Sequence, residues 1–409
     1  MKKRILTIGM LVLMFSAKGQ TRTVSDTTGV DSTSYKSRKI KLEEVNFATS
    51  YYSQDGNNAA VTGGIGSEEL TDFATTINLN FSKYTRRYNK ASLNVELGVD
   101  VYTSASSDKI DPSTISSASM DDERMYASFN YRLQNEIKGR TIGAGLSMSS
   151  EFDYSSTGVN LFFSKLSRDK SREFSATASA FFDTWRIIYP IELRPEGYGN
   201  GSTTDSLSVE TQPRNSYNLG LVFFQVVNRQ FQFALLTDIS YQEGQLATKF
   251  QRVYFTNGSA APENLPDTRF KIPLGIRANY FLGDRVVLRG FYRFYWDNWE
   301  MTSHTASLEV AYKISPFISL APSYRFYAQT GVEYFAKYQE HNLGEEFFTS
   351  DYDLSDFTSN MFGFNARFSN LNDKLGIKAF NAAEIRYGNY QRSTGLDSHI
   401  VSLVLTFKK

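Results

Sequence analysis

Apolar and polar residues alternate with a period of two along most of the chain. Residues 92–101 are the clearest example, with Leu or Val at every odd position and polar residues or Gly at the even ones. The same split appears at 73–82, 125–134 and 401–407. Successive strand residues point to opposite faces, so each segment predicts a β-strand with one face suited to hydrocarbon and one suited to water.

Loop lengths separate a membrane barrel from a soluble β-sandwich, whose strands alternate in a similar way. Short predicted turns lie at 86–90, 137–139, 168–172, 228–230, 283–284, 315–316 and 371–374. Between them lie long polar connections at 54–70, 105–121, 189–213, 243–270 and 331–358, and shorter ones near 154–157, 299–301 and 390–396. Short turns at one end and long loops at the other are typical of outer-membrane barrels. The pattern predicts an all-β, transmembrane, antiparallel up-and-down barrel of about 16 strands, with 14 or 18 as alternatives.

The N-terminal region has a different composition. Basic residues at 2–4 precede a mostly apolar stretch at 5–17, and small residues at 17 and 19 suit cleavage before Gln20. This predicts a signal peptide at 1–19, since the apolar stretch is shorter than the ~20 residues of a transmembrane helix. The polar segment 20–41 predicts a flexible periplasmic extension, and 42–409 the barrel. We expect an outer-membrane protein with both termini in the periplasm.

Composition narrows the possible functions. Lys and Arg number 44 against 43 Asp and Glu, so the net charge is +1 and nucleic-acid binding is not expected. The absence of cysteine excludes disulfides, thiolate metal sites and thiol nucleophiles. Aromatic residues make up 15% of a chain whose mean hydropathy is −0.37. Many of them cluster near predicted strand ends, among them Trp185 and residues 291–299, as in the interfacial girdles of membrane barrels.

The last segment is apolar and alternating. Its large residues on one face are Val401, Leu403, Leu405 and Phe407. The segment resembles the C-terminal strand signal that the bacterial barrel-assembly machinery recognises, although two lysines follow the final aromatic residue. The resemblance implies that this machinery is a partner during biogenesis.

A glycine-rich segment, DGNNAAVTGGIGSEEL at 55–70, is the most specific motif. Together with the predicted signal peptide and the last strand, it resembles an uncharacterised family of Bacteroidota outer-membrane proteins known only as a domain of unknown function. The resemblance implies an outer-membrane barrel and no activity.

The same segment falls in the first long connection, where its glycines permit tight turns. One interpretation is a loop folded into the lumen as a constriction or plug. A second is a cation site that uses Asp55, Asn57 and backbone carbonyls, although calcium needs six to eight oxygens. A third is an ordinary ordered surface loop. The candidate residues for a loop or plug are Asp55, Gly56, Asn57, Gly63, Gly64 and Gly66.

Alternation also predicts which charges face the lumen. The candidates are Glu96, Asp100, Arg277, Arg289, Arg293, Asp297, Arg325, Arg367 and Arg386. Lys313, Lys378, Glu309 and Glu384 share this assignment. Basic residues concentrate in the C-terminal half of the wall, so the lumen either favours anions or is filled by side chains that pair across it.

No constellation of residues indicates an enzyme. Only three histidines occur, His304, His341 and His399, and they do not have the spacing of a metal site. Ser303 and Ser398 precede two of them but point to the opposite strand face. We expect His399 at the membrane interface and His341 in a solvated loop. No catalytic residue, metal or cofactor is predicted.

Two functional hypotheses remain. The first is a channel for passive or selective passage of small solutes, because a barrel of about 16 strands is wide enough for an aqueous lumen. The second is a non-conducting interaction or scaffold subunit of an outer-membrane complex. Its N-terminal tail, with a basic segment at 36–41, or its outer loops would contact other envelope proteins. In either case outer-membrane lipid and lipopolysaccharide are expected partners.

Overall fold

The described part of the chain forms a closed antiparallel β-barrel. The structure is a computed structural model that describes residues 39–103, 108–109, 122–195, 210–370 and 379–408. The predicted signal peptide, most of the predicted extension, Lys378 and the turn at 371–374 lie outside these residues. The strands of the barrel wall are β1 (Lys41–Asp55), β2 (Leu70–Tyr84), β3 (Lys90–Tyr102), β4 (Asp122–Asn135), β5 (Arg140–Ser150), β6 (Tyr154–Leu166), β7 (Arg172–Arg186), β8 (Thr211–Val226), β9 (Phe231–Gly244), β12 (Thr268–Leu282), β13 (Val286–Asp297), β14 (Thr302–Lys313), β15 (Ile318–Gln329), β16 (Phe357–Ser369), β17 (Phe380–Arg392) and β18 (Asp397–Lys408).

Each wall strand pairs with its neighbours in sequence. β1 closes the barrel by pairing with β18, with Val45 opposite Phe407 and Tyr51 opposite Val401. Between β9 and β12 the short strands β10 (Arg252–Tyr254) and β11 (Ala260–Pro262) form a separate two-stranded sheet. The predicted barrel of about 16 strands is therefore confirmed.

The wall has an apolar outer face and a polar inner face. The outward positions carry large exposed hydrophobic side chains on every part of the wall, such as Leu97, Leu161 and Ile385, which are 47%, 65% and 56% exposed. The inward positions alternate with them and are mostly polar or small. No helix of the described residues is long and apolar enough to cross a membrane.

The two ends of the barrel differ. Short turns follow β2, β4, β6, β8, β12 and β14 at one end, and the longer connections lie at the other. One expectation is wrong, because residues 154–157 begin β6 and the turn before it is 151–153. The polar Ser155 and Thr157 face outward near the rim, so no apolar residue marks the start of this strand.

Candidate functional site

The lumen wall carries the charges that alternation predicts. Each predicted residue lies on the strand face opposite to the exposed apolar side chains. These residues are Glu96, Asp100, Arg277, Arg289, Arg293, Asp297, Arg325, Arg367 and Arg386.

Several of these side chains form ion pairs along the wall. Arg289 contacts Glu309 on the neighbouring strand. Glu384 accepts from both Arg367 at 3.2 Å and Arg386 at 2.6 Å. These acids neutralise part of the positive charge of the basic wall.

Asp100 and Asp297 have partners that were not among the predicted residues. Asp100 pairs with Arg124 on β4. Asp297 is fully buried and accepts from Arg269 Nε at 2.9 Å, Tyr295 Oη at 2.7 Å and the Trp299 backbone N–H at 2.9 Å. Arg124 follows from strand alternation, since it faces Asp100 directly across β3 and β4.

Three inward arginines on β12–β15 form no ion pair with a described acid. Among the described residues, no carboxylate lies within ion-pair distance of Arg277, Arg293 or Arg325. Arg277 lies 5.8 Å from the ring centre of Phe291, and Arg325 lies 6.0 Å from that of Tyr390. Asp238 on β9 interacts with Arg293 at longer range, and none of the three charges is held in an ion pair with a described residue.

The excess of positive charge is confined to one side of the wall. The inward basic residues on β12–β17 are Arg269, Lys271, Arg277, Arg289, Arg293, Lys313, Arg325, Arg367, Arg386 and Arg392, and the inward acids there are Asp297, Glu309 and Glu384. On β2–β9 the inward acids are Asp72, Glu96, Asp100, Asp122, Glu173, Asp183 and Asp238, and the inward basic residues are Lys90, Arg124, Arg132 and Arg214. The β12–β17 side of the lumen therefore carries an excess of basic residues, and the β2–β9 side carries an excess of acids.

The long connections meet across the mouth of the barrel. Arg252 Nη1 donates to the carbonyl oxygen of Val61 at 2.7 Å, and Arg252 Nε donates to Glu192 at 2.5 Å. The connections that carry these residues leave the wall between β9 and β12, β1 and β2, and β7 and β8. In the closed strand order, the first two lie half a turn apart. We call residues 56–69, 187–195, 245–267 and 330–356 the loop cap.

Buried polar side chains hold the loop cap together. Glu263 is 2% exposed, and it accepts from the Thr248 backbone N–H at 2.6 Å and from the Thr349 hydroxyl. His341 is also 2% exposed, 2.6 Å from Glu345 and 2.9 Å from the carbonyl oxygen of Thr349. The expectation of a solvated His341 is therefore wrong, because the cap encloses it.

Burial raises the pKa values of three acids in the loop cap. Removal from water, together with the negative charge of Asp351, raises the pKa of Glu263 to about 8. Burial and Asp353 raise the pKa of Glu68 to about 7, and burial and Asp353 raise the pKa of Asp351 to about 6. Arg392 opposes the shifts at Glu68 and Asp351. The cap therefore contains a group of carboxyls that ionise near neutral pH.

An apolar cluster joins the loop cap to the wall. Its buried members are Ala247, Leu265, Trp299, Met301 and Val332. Trp299 Nε1 donates to the carbonyl oxygen of Thr268 at 2.9 Å, and the Arg269 guanidinium lies 4.2 Å from the ring centre of Trp299. The sequence placed Trp299 in an interfacial girdle, and this is wrong because the ring lies under the cap.

The glycine-rich segment lies inside this assembly. Gly63 and Gly64 have φ values of 79° and 85°, which favour glycine. A Cβ on Gly63 would lie 2.7 Å from the Tyr254 ring, and one on Gly64 would lie 2.8 Å from the carbonyl oxygen of Ser350. The structure thus places Asp55 at the end of β1 and the other candidates, Gly56, Asn57, Gly63, Gly64 and Gly66, in the first connection of the cap.

Asp55 does not join a metal-binding group in the described structure. The group of three acids with oxygens within 4.8 Å of one another is Asp122, Glu151 and Asp153, near the mouth on β4–β6. Tyr102 donates to Glu151 at 2.9 Å and to Asp122 at 3.3 Å, so a hydroxyl of the wall already engages two of these three acids.

Two histidines lie on the outer face close to the mouth. Tyr292 Oη lies 2.8 Å from His304 Nδ1, and Tyr387 Oη lies 2.8 Å from His399 Nδ1. Ser303 points to the opposite face from His304 and is buried. These contacts anchor the side chains at a strand end and do not assemble a catalytic dyad.

The predicted C-terminal strand signal lies on the outer face of β18. Val401, Leu403, Leu405 and Phe407 alternate with inward residues and lie opposite β1. The rings of Phe407 and Phe380 pack edge to face, with ring centres 5.9 Å apart.

Comparisons with solved structures find barrels of similar extent. A bacterial polysaccharide outer-membrane secretin matches with a TM-score of 0.45 and 10% identity, over 90% of this chain and 98% of that one. OpdK of Pseudomonas aeruginosa, solved with vanillate, gives 0.42 and 8%, over 91% and 99%. A BenF-like porin from Pseudomonas fluorescens Pf-5 gives 0.41 and 9%, over 91% and 100%. A search of curated proteins gives no match.

A family model gives the most direct relationship. The model described as a protein of unknown function, DUF3570, matches residues 13–393. The resemblance to a family of unknown function is confirmed at that level, and the bacterial phylum stays a prediction. The chain belongs to the DUF3570 family.

Proposed function

We propose that this protein is an outer-membrane channel for small solutes that favours anions. The observation that carries the proposal is the set of inward arginines on β12–β15 that form no ion pair with a described residue, Arg277, Arg293 and Arg325. Charged side chains on a pore wall set which ions enter and cross. Guanidinium groups on a pore wall that are not neutralised by acids raise the local concentration of anions.

The membrane placement rests on the outer face. Its exposed apolar side chains are suited to a bilayer, and a closed barrel leaves no strand edge unpaired in hydrocarbon. Short turns face the periplasm in barrels of this kind. The first strand then begins in the periplasm, the last strand ends there, and the loop cap lies on the cell exterior. Phospholipid and lipopolysaccharide then surround the wall, and the barrel-assembly machinery inserts it through β18.

The experiment is a reversal-potential measurement in planar bilayers across a salt gradient. The variant Arg277→Gln, Arg293→Gln and Arg325→Gln removes the unpaired charges and lowers the ratio of anion to cation permeability. The matched control, Arg289→Gln with Glu309→Gln, removes an ion pair from the same wall without changing net charge. It leaves the ratio near that of the wild type. An unchanged ratio in the first variant contradicts anion selection by these arginines.

The loop cap favours a second candidate function. Loops that meet across the mouth are suited to a barrel that does not conduct and instead presents its outer surface or its N-terminal tail to envelope proteins. A pull-down that compares the intact protein with a form lacking residues 20–41 tests the tail. Identical sets of partners exclude a role for the tail in binding.

A further inference from the structure

We infer that an anionic phospholipid binds the outer wall at β5–β7, with its phosphate held by Arg140, Lys165 and Arg172. The inference rests on the proposed membrane placement of the barrel, and not on conduction. It specifies one lipid site on a wall that otherwise faces bulk bilayer.

The basic side chains converge at the short-turn end. Arg140 on β5 lies directly opposite Lys165 on β6, and both side chains face outward and are exposed. Arg172 on β7 also faces outward and is two residues closer to the turn than Phe174, the partner of Lys165. Like charges directly opposite on a sheet repel each other, so this arrangement is stabilised when an anion lies between them.

The described residues supply one nearby negative charge, that of Asp169, which interacts with Arg172 beyond ion-pair distance. None of the three basic side chains forms an ion pair with another described residue. The nearby carboxylate of Asp169 accepts from Ser171 Oγ at 2.6 Å and also from the Ser167 hydroxyl. Lys165 Nζ donates to the carbonyl oxygen of Lys138 at 2.6 Å, which keeps its charge at the level of the turn.

An apolar groove lies on the same strands farther toward the middle of the wall, beyond the outward row of Ile142, Phe163 and Ala176. The outward residues of β7 after Phe174 are Ala176, Ala178 and Ala180, and Phe182 follows. The groove has a volume of about 730 Å³ and includes Ala178, Ala180, Leu161 and Leu219 in its lining. Strands on either side of a central strand are ~10 Å apart, so the groove is wide enough for an acyl chain.

The loop-side end of the groove is closed by aromatic rings. Tyr217 packs edge to face on Phe182 with ring centres 6.5 Å apart, and it stacks on Tyr241 at the same distance. The groove therefore ends at aromatic rings toward the cap, and the three basic side chains lie on its turn side along the same strands. That polarity matches a phospholipid of the leaflet at the short-turn end, with its headgroup at Arg140, Lys165 and Arg172.

Charge and shape together identify the chemical class. Arginine and lysine donate charge-assisted hydrogen bonds to phosphate oxygens. A zwitterionic headgroup would add its own positive charge to a site that already contains three positively charged side chains. An anionic phospholipid such as phosphatidylglycerol avoids this repulsion.

Native mass spectrometry of the full-length barrel in detergent tests the site. The protein is titrated with phosphatidylglycerol or with phosphatidylethanolamine of the same acyl chains. We expect the wild type to retain phosphatidylglycerol. The triple variant Arg140→Gln, Lys165→Gln, Arg172→Gln should retain at least about tenfold less, because each basic residue adds to the affinity for anionic lipid. Heat-modifiable mobility on gels verifies that each variant is a folded barrel.

Two further variants separate a site from general surface charge. Lys83→Gln, Arg86→Gln, Arg87→Gln removes the same charge at the neighbouring turn, where large side chains such as Phe81 and Leu93 face outward. This control retains phosphatidylglycerol as the wild type does. Ala178→Leu with Ala180→Leu fills the groove, changes no charge and lowers retention.

The outcomes are distinct. Equal loss from the two charge variants, or equal retention of the two lipids by the wild type, overturns the inference. Because the readout is bound lipid, a barrel that binds phosphatidylglycerol and does not conduct contradicts only the channel. A barrel that conducts and shows no lipid preference contradicts only the lipid site.

Discussion

Arg252 donates to the carbonyl oxygen of Val61 at 2.7 Å, and this contact joins loops that leave opposite sides of the barrel. The Arg252 side chain is 5% exposed, so its charge depends on Glu192 and on the Val61 carbonyl in place of water. A single side chain thus links three connections over the mouth. This contact makes the loop cap one structure and not a set of independent loops.

Arg252→Met is expected to destabilise the loop cap by about 3 kcal/mol, since it removes two hydrogen bonds made by a charged group. Hydrogen exchange of the amide of Gly64, which donates to Ala59 at 3.0 Å, measures the change. Arg285→Met, at the opposite end of the barrel, is the control. Wild-type protection of Gly64 in Arg252→Met contradicts the proposed link.

The loop cap is expected to loosen as pH rises. The pKa of Glu263 is raised from its ordinary 4.5 to about 8. Its stabilising contribution is therefore complete below about pH 4.5 and is lost as pH rises through 8. The groups that face Glu263 are Thr248, Lys249, Thr349 and Asp351. The positive charge of Lys249 lowers the pKa of Glu263, but by less than burial raises it. Amide exchange in the cap should accelerate between pH 5 and pH 9 beyond the intrinsic chemical rate.

Glu263→Gln isolates this effect. A glutamine is neutral at every pH, and its amide can contact both Thr349 and the Thr248 N–H as the protonated acid does. We expect the alkaline part of the loosening to be smaller in this variant. The same pH dependence in Glu263→Gln and in the wild type assigns the effect to other groups.

Gly64→Ala should weaken the loop cap more than Gly258→Ala. Both glycines have positive φ, 85° and 84°, so alanine costs about 1 kcal/mol of backbone strain at either position. Only Gly64 has close neighbours, with a Cβ position 2.8 Å from both Ser350 O and Tyr352 Cε2, whereas Gly258 has nothing within 4 Å. Exchange of the Leu354 amide, which bonds to Asp351, reports the difference. Equal effects of the two substitutions would mean that the close approach at Gly64 does not stabilise the cap.

The barrel is predictable from sequence because strand alternation is a local property. The alternation within residues 92–101 alone indicates which side chains face outward and which face inward. The same rule predicts that Asp100 and Arg289 face the lumen. Turn lengths then order the strands, since neighbouring antiparallel strands need only short connections. The number of strands and the assignment of inward residues therefore follow from local sequence patterns and turn lengths alone.

The loop cap is not predictable in this way. His341 is buried because Thr349 and Glu345 fold around it, and no periodic pattern marks that contact. The prediction of Trp185 in an interfacial girdle is also wrong, because Trp185 faces the lumen, as Phe181 does, while Phe182 faces outward. Adjacent strand residues occupy opposite faces, so clusters in sequence do not form a girdle on one face.

Phe407→Ala is expected to reduce the yield of assembled barrel severalfold in cells. Phe407 is the last outward aromatic residue of β18, which closes the barrel against β1, and it packs on Phe380. Heat-modifiable mobility of outer-membrane fractions measures assembly. The control Phe368→Ala removes an outward ring of the same size on β16 and should assemble normally. Equal assembly of the two variants contradicts a special role for the last strand.

Single-channel recording of the wild-type protein in a planar bilayer, with a salt gradient across it, tests the central claim most directly. An anion-favouring pore predicts discrete conductance steps with a reversal potential displaced toward that of the anion. Persistent silence from protein that circular dichroism shows to be a folded barrel contradicts a channel and favours the interaction subunit. Steps with a cation-selective reversal potential contradict the role assigned to Arg277, Arg293 and Arg325.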